Sequence, residues 1–219
     1  QPDSTEPEFS VNYEAGARYA GRRLRADLIG FYNDYSNLTD ICTFSSGCLG
    51  QNLDRQFDAG TARVFGLEAS FDHELRIDRE LYLPLSLAYT FSRGEFLSFF
   101  DSPDPQFGQV SAADPIPYLP EHQGSATAGL GGKRWEATAT GTFVGSMHEQ
   151  AGAGGPLAGK KTDAQLTLDL AAHLQLTSWL DLYGVAKNVL NQQHLASRRP
   201  FGARPGAPRW IQAGARASF

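Results

Sequence analysis

Apolar and polar residues alternate with period two in nine separate stretches of this 219-residue chain, and the connections between the stretches are short and long in strict turn. Successive side chains of a strand point to opposite faces, so each stretch reads as a strand with one apolar and one polar side. The cleanest is LYLPLSLAYTF, where Leu81, Leu83, Leu85, Leu87, Tyr89 and Phe91 alternate with Tyr82, Pro84, Ser86, Ala88 and Thr90. In VFGLEASFDHEL, Phe65, Leu67, Ala69 and Phe71 face away from Gly66, Glu68, Ser70, Asp72 and Glu74. That second face is too acidic for the core of a soluble protein. The opening strand puts Val11, Tyr13, Ala15, Ala17 and Tyr19 on its apolar side, and the seventh puts Leu166, Leu168, Leu170, Ala172 and Leu174 there. Two stretches resist the pattern. In LRADLIGFYNDY, Leu24, Ala26 and Leu28 keep one parity while Ile29, Phe31 and Tyr35 take the other. Pro84 cannot donate to a strand ladder, and a bulge is expected there.

The short connections fall near 20–23, 76–80, 131–133 and 177–179, the long ones near 36–61, 94–120, 146–163 and 191–208. A sandwich has no reason to sort its connections this way, whereas outer-membrane barrels carry short turns on the periplasmic side and long loops outside. The expected fold is therefore all-β: a transmembrane antiparallel up-and-down β-barrel. Only 41% of residues are hydrophobic and no run of 18 apolar residues occurs, which excludes a transmembrane helix and leaves a barrel open. An up-and-down sheet closed on itself needs an even number of strands, so nine imply that something outside this sequence completes it. The opening QPDSTEPEFS has neither a basic start nor an apolar core, so a mature, truncated or partial chain is expected rather than one with a signal peptide.

A net charge of −5 and a pI near 5.5 speak against nucleic acid as a partner, which calls for a concentrated basic face. Cys42 and Cys48 lie in TDICTFSSGCLG, and none of the five histidines falls within that segment. The spacing favours a disulfide over a metal site, restraining the unfolded chain by roughly 2 kcal/mol and implying an oxidising compartment. No cofactor is called for. Asp169 and His173 share a strand face but stand about 13 Å apart by strand rise, too far for a hydrogen-bonded catalytic pair, and no nucleophile motif accompanies them. The acids Glu14, Glu68, Asp72, Glu74 and Glu136 read as an ordinary polar lumen wall, with a metal or plug-contact patch as the alternative.

The last eleven residues, RWIQAGARASF, set Ile211, Ala213, Ala215, Ala217 and Phe219 against Trp210, Gln212, Gly214, Arg216 and Ser218. With Gln212, Gly214, Ala217 and Phe219 spaced as they are, this end resembles the signal by which barrel-assembly machinery recognises bacterial outer-membrane barrels. KNVLNQQHLASRRPFGARPGAPRWIQAGARASF as a whole resembles the end of TonB-dependent outer-membrane receptors. NYEAGARY, FYNDYSNL, VFGLEASF and PYLPEHQ resemble the same family in the same order, so the likeness spans nearly the whole chain. SRRPFGARPGAPR and the cysteine loop look most like the ferric dicitrate receptor branch. The resemblance implies residues 1–219 as the C-terminal portion of a barrel of about 22 strands, integral to the bacterial outer membrane, with the plug domain absent. It implies uptake of a ferric chelate, of siderophore or ferric citrate type, driven by TonB through an N-terminal region missing here. Outer-membrane lipid and lipopolysaccharide would surround it.

Five arginines stand in or beside the last long loop: Arg198, Arg199, Arg204, Arg209 and, deeper, Arg216. Bidentate guanidiniums suit a carboxylate-rich iron chelate, so Arg198, Arg199 and Arg204 are candidate ligand contacts; binding lipopolysaccharide phosphate or merely solvating the loop are the alternatives. Two other functions compete with the receptor reading: a passive porin-like channel assembled from several chains, and a soluble all-β binding module. An enzyme is not expected.

Overall fold

The computed structural model describes residues 7–44, 48–104, 106–151, 161–198 and 202–218. Among them thirteen strands follow in chain order: β1 (Phe9–Ala20), β2 (Leu24–Ile41), β3 (Gln56–Arg76), β4 (Tyr82–Phe96), β5 (Phe100–Asp101), β6 (Gln109–Val110), β7 (His122–Gly131), β8 (Trp135–Val144), β9 (Gln165–Gln175), β10 (Leu180–Lys187), β11 (Leu195–Ser197), β12 (Arg204–Pro205) and β13 (Trp210–Ala217). Nine of these form one antiparallel sheet in the order β1-β2-β3-β4-β7-β8-β9-β10-β13, and β5–β6 and β11–β12 are small hairpins inside long connections. These nine are the strands expected from the alternation. The short turns are closed by backbone bonds such as Gly21 N–H to Leu24 O at 2.8 Å and Gly132 N–H to Trp135 O at 2.8 Å. In the turn after β3 the Asp78 carboxylate accepts the N–H groups of Glu80 and Leu81 at 2.7 and 2.8 Å, which holds its carboxyl below the usual range.

Residues opposite each other in a sheet share a face, so the register decides whether nine apolar stripes merge into one surface. They do. One row runs Leu28, Ala69, Tyr89, Gly124, Phe143, Leu166, and a lower one runs Trp135, Leu174, Leu182, Ala215. This outer face is bare: Leu87 is 48% exposed, Leu166 54% and Ile211 77%. Aromatic residues border it at both heights, as they border the hydrocarbon layer in membrane barrels. Toward the loop end Tyr13, Tyr32 and Phe65 follow one another with ring centroids 6.4 and 6.5 Å apart, and His122 packs on Tyr89 and Phe91. Toward the turn end stand the exposed Tyr19, Trp135 and Trp179.

The inner face is polar and internally bonded. Ser86 Oγ donates to Asp72 at 2.7 Å, Tyr82 to Glu136 at 2.8 Å and Lys187 Nζ to Asp169 at 2.7 Å, while Thr127 and Thr140 share a bond at 2.9 Å and Arg18 pairs with Asp27. Asp169 is thus committed to Lys187 and to the Asn188 N–H at 2.8 Å, and His173 lies opposite Tyr183 in the register, away from it. Gly214 lets the Tyr183 ring lie across β13, where an added Cβ would come within 2.5 Å of that ring.

Three details differ from the expectations. β2 keeps one register from Leu24 to Tyr35, so Gly30 and Tyr32 continue the outer stripe while Ile29, Phe31 and Tyr35 belong to the inner face. Pro84 sits in no bulge: the register toward β7 is the same on both sides of it, and the ladder simply skips Leu83 and Pro84. Gly129 leaves room for the proline ring, since a Cβ there would lie 2.9 Å from Pro84 Cγ. The first long connection is also shorter than 36–61, because β2 and β3 run on to Ile41 and back from Gln56 through register shifts near Leu38. Asn37 and Gly60, with φ of 56° and 69°, absorb those shifts.

Candidate functional site

The buried apolar core of the described residues gathers at one end, in and above the long connections. The extensions of β3 and β4 beyond the outer apolar band supply Phe57, Ala59, Ala62 and Phe96, and the 97–121 connection returns Phe100 and Val110 onto them. Ala151 joins from the next connection, and Phe107 packs alongside. The rings meet edge to face, Phe96 with Phe100 at 5.2 Å and Phe57 with Phe107 at 5.6 Å between centroids, the arrangement aromatic quadrupoles favour. The loop end is a small folded cap with its own core.

The first connection is pinned to this cap. Cys42 and Cys48 form a disulfide with Cα atoms 5.7 Å apart, 0% and 2% exposed. Asp54 N–H donates to Cys42 O at 2.8 Å and Cys42 N–H to Arg55 O at 2.9 Å, so the bridge closes a loop whose two arms already pair. The Asp104 side chain, 1% exposed, lies within 4.8 Å of both sulfurs and accepts the Gln106 N–H at 2.8 Å. The sulfurs are spent on each other, so these three residues do not make a metal-ligand set.

The remaining connections are bonded to one another in sequence. Ala151 N–H reaches Gln106 O at 3.0 Å, and Tyr118 N–H reaches His148 O at 2.8 Å. Leu195 N–H donates to the Asp163 carboxylate at 2.7 Å, and Asp163 N–H donates back to Leu195 O at 3.1 Å. Glu149 then joins the third and fourth connections. One of its carboxylate oxygens accepts the Arg198 backbone N–H at 2.9 Å, the other accepts Arg198 Nη1 at 2.8 Å, and the same nitrogen donates to Lys161 O at 2.8 Å. The Glu149 side chain is only 6% exposed. A carboxylate so far from water depends on its partner, and breaking such a pair from one side leaves a buried charge uncompensated.

Beside this junction a cavity of about 290 Å³ lies between the top of β4 and the second and third connections. Arg93, Glu95, Glu121, His148 and Lys161 line it together with Ile116. Glu95 is held by Arg63 and, at 3.6 Å, by Arg93. Burial, followed by the Lys161 charge, pushes His148 below its ordinary pKa of 6.5, with Glu121 opposing. His148 is therefore a neutral imidazole at pH 7.

Of the three candidate ligand arginines, Arg198 is engaged with Glu149, and Arg204 stands exposed on β12 opposite Ser197 with no ion pair among the described residues. Arg199 lies outside the described residues. Gln212, Gly214 and Ala217 all fall on β13, and Phe219 lies outside the described residues. Sequence reading missed Glu149 and His148, because HEQAGAGGPLAGKK reads as a flexible glycine-rich loop. Its described ends are packed: His148 bridges to Lys161 and Ala151 is 8% exposed, while 152–160 lie outside the described residues.

A family model described as "TonB dependent receptor-like, beta-barrel" matches residues 2–189. Among solved structures, the ferric-catecholate import receptor Fiu from E. coli K12 in its closed form is similar at a TM-score of 0.72 and 19% identity, covering 98% of this chain and 28% of that one. The ferric yersiniabactin uptake receptor FyuA from Yersinia pestis gives 0.71 at 16% identity, over 97% of this chain and 30% of that one. The copper transporter OprC gives 0.67 at 15%, over 99% and 32%. This chain thus spans less than a third of the length of these proteins, and at such identities the likeness is one of fold. No curated protein matches the sequence.

Proposed function

Since the chain belongs to the TonB-dependent receptor-like β-barrel family, we propose that residues 1–219 form the C-terminal part of an outer-membrane receptor for a ferric chelate. TonB, acting through the part of the receptor before this segment, energises uptake. The nine strands line the lipid with their apolar face, and the long connections gather outside the cell as a folded cap over the lumen. The observation that carries this reading is the pairing of a bare apolar wall with a cap whose loops are bonded to one another. A ligand held by such a cap meets pre-arranged polar groups rather than loose loops. Within the family the chelate is of the carboxylate class exemplified by ferric dicitrate. The support is the arginine-rich sequence of the last connection, which carries Arg198, Arg199 and Arg204, the last of them exposed. Gln212, Gly214, Ala217 and Phe219 address the chain to the barrel-assembly machinery, and lipopolysaccharide contacts the outer face above the aromatic belt. The molecule is a receptor and transporter, not an enzyme.

Uptake of radioactive iron by cells carrying the complete receptor tests the reading: ferric citrate is taken up in a TonB-dependent manner, and an Arg204→Ala variant takes up less. Uptake that survives removal of TonB sinks the proposal. Orientation is tested separately with single cysteines in intact cells, on a background in which Cys42 and Cys48 are replaced by alanine. A membrane-impermeant maleimide labels Ala164→Cys and spares Arg79→Cys; the opposite pattern inverts the topology.

A further inference from the structure

The carboxylate that Arg198 now holds is the chain's own. Glu149 presents its two oxygens to one N–H of the Arg198 backbone and one of its guanidinium, at 2.9 and 2.8 Å, which is the way a carboxylate ligand would be received. The Arg198 side chain is 36% exposed against 6% for Glu149. Arg204, on the hairpin partner strand of the segment that precedes Arg198, has no ion pair among the described residues. We infer that Glu149 is an internal competitor for the ligand: it occupies Arg198 in the empty receptor and yields it to a carboxylate of the bound chelate. This rests on the carboxylate-class reading above.

The exchange has a direct mechanical result. Glu149 stands two residues from Ala151, which is part of the cap core, and next to His148, whose carbonyl holds Tyr118. Arg198 stands next to Ser197 on β11. Transfer of Arg198 from Glu149 to ligand therefore removes the ion pair that joins the third and fourth connections among the described residues, leaving the Asp163–Leu195 bonds between them. A buried carboxylate without its partner is unfavourable, so Glu149 then moves toward water together with its neighbours between His148 and Ala151. Catecholate chelates, which offer no carboxylate, do not make the exchange. Competition of this kind also sets a threshold, because the ligand's affinity is lowered by the strength of the contact it replaces.

The test uses the complete receptor in detergent, ferric citrate as carboxylate probe and ferric enterobactin as catecholate probe, with binding followed by quenching of tryptophan fluorescence. Glu149→Ala is expected to bind ferric citrate about fivefold or more tightly than the unaltered receptor, with Glu149→Gln in between. Ferric enterobactin affinity stays the same. Adding Arg198→Ala to Glu149→Ala removes the gain. An unchanged or weaker affinity for ferric citrate in Glu149→Ala overturns the inference while leaving the receptor reading intact. Failure of every form to bind ferric citrate removes the carboxylate-class reading and the inference with it. A measurement on the unaltered receptor avoids any loss of folding in the variants: amide hydrogen exchange across 149–151 speeds up when ferric citrate is added. Slower or unchanged exchange there overturns the inference as well.

Discussion

The wall and the cap are built from the same strands and obey opposite rules. Below the loop-end aromatic belt, β3 and β4 carry the facing pair Phe71 and Leu87 at 38% and 48% exposure. A few residues further along the same two strands, Ala62 and Phe96 are at 0% and 3%. The β3–β4 register does not change at that boundary; the buried pair lies on the inner parity, where the connections fold back over it. In the wall, lipid takes up the apolar face, so the outward side chains need no protein partner. In the cap, water surrounds the strands, so apolar side chains must find protein, and the connections fold back to supply it. A single strand thus crosses from one kind of stabilisation to the other.

The sharpest way to break that contrast is to empty the cap. Phe96→Ala is expected to cost the cap roughly 3–5 kcal/mol, the range for truncating a buried aromatic, read as lost protease protection of 97–121. The wall should keep its heat-resistant gel mobility; if both are lost together, wall and cap are one cooperative unit and the distinction fails. Next in size, Leu87→Arg should destabilise the wall by roughly 2–4 kcal/mol in bilayer unfolding titrations. Ser86→Arg, on the inner face beside Asp72, should cost far less. Equal costs would mean that the leucine stripe faces protein. The smallest effect is set by pH. His148 has its folded pKa depressed below the unfolded 6.5, so the unfolded chain binds the proton first and stability falls as pH drops below about 6.5. Hydrogen exchange at Met147–Ala151 should quicken between pH 7 and 5 while exchange in β7–β9 holds steady; His148→Gln removes the difference.

The wall was legible in the sequence because lipid enforces period two on every strand, so each stripe could be read from its own residues. Even there, Leu24–Tyr35 blurred, since Ile29 and Phe31 are apolar residues on the lumen side and alternation cannot flag an apolar inner face. The register shifts at Asn37 and Gly60 hid the ends of β2 and β3, because one slipped residue inverts the parity on which the reading depends. The cap was illegible for a different reason. Phe57 and Phe96 lie at strand ends and Phe100 and Ala151 in two different connections, with no shared period, and Glu149 meets Arg198 across 49 residues. The cysteines announced their loop; Asp104, which packs against them, gave no local sign.

The odd number of strands in the main sheet carries a consequence for assembly. β1 and β13 are its two edges, and both run from the loop end to the turn end. If two copies of this sheet were set side by side with their apolar faces outward and their caps on the same side of the membrane, β13 of one would meet β1 of the other running the same way. Each seam would be a parallel pair, with slanted hydrogen bonds, inside a sheet whose other pairs are all antiparallel. A wall whose strands all pair antiparallel therefore meets β1 and β13 with neighbours that run from the turn end to the loop end.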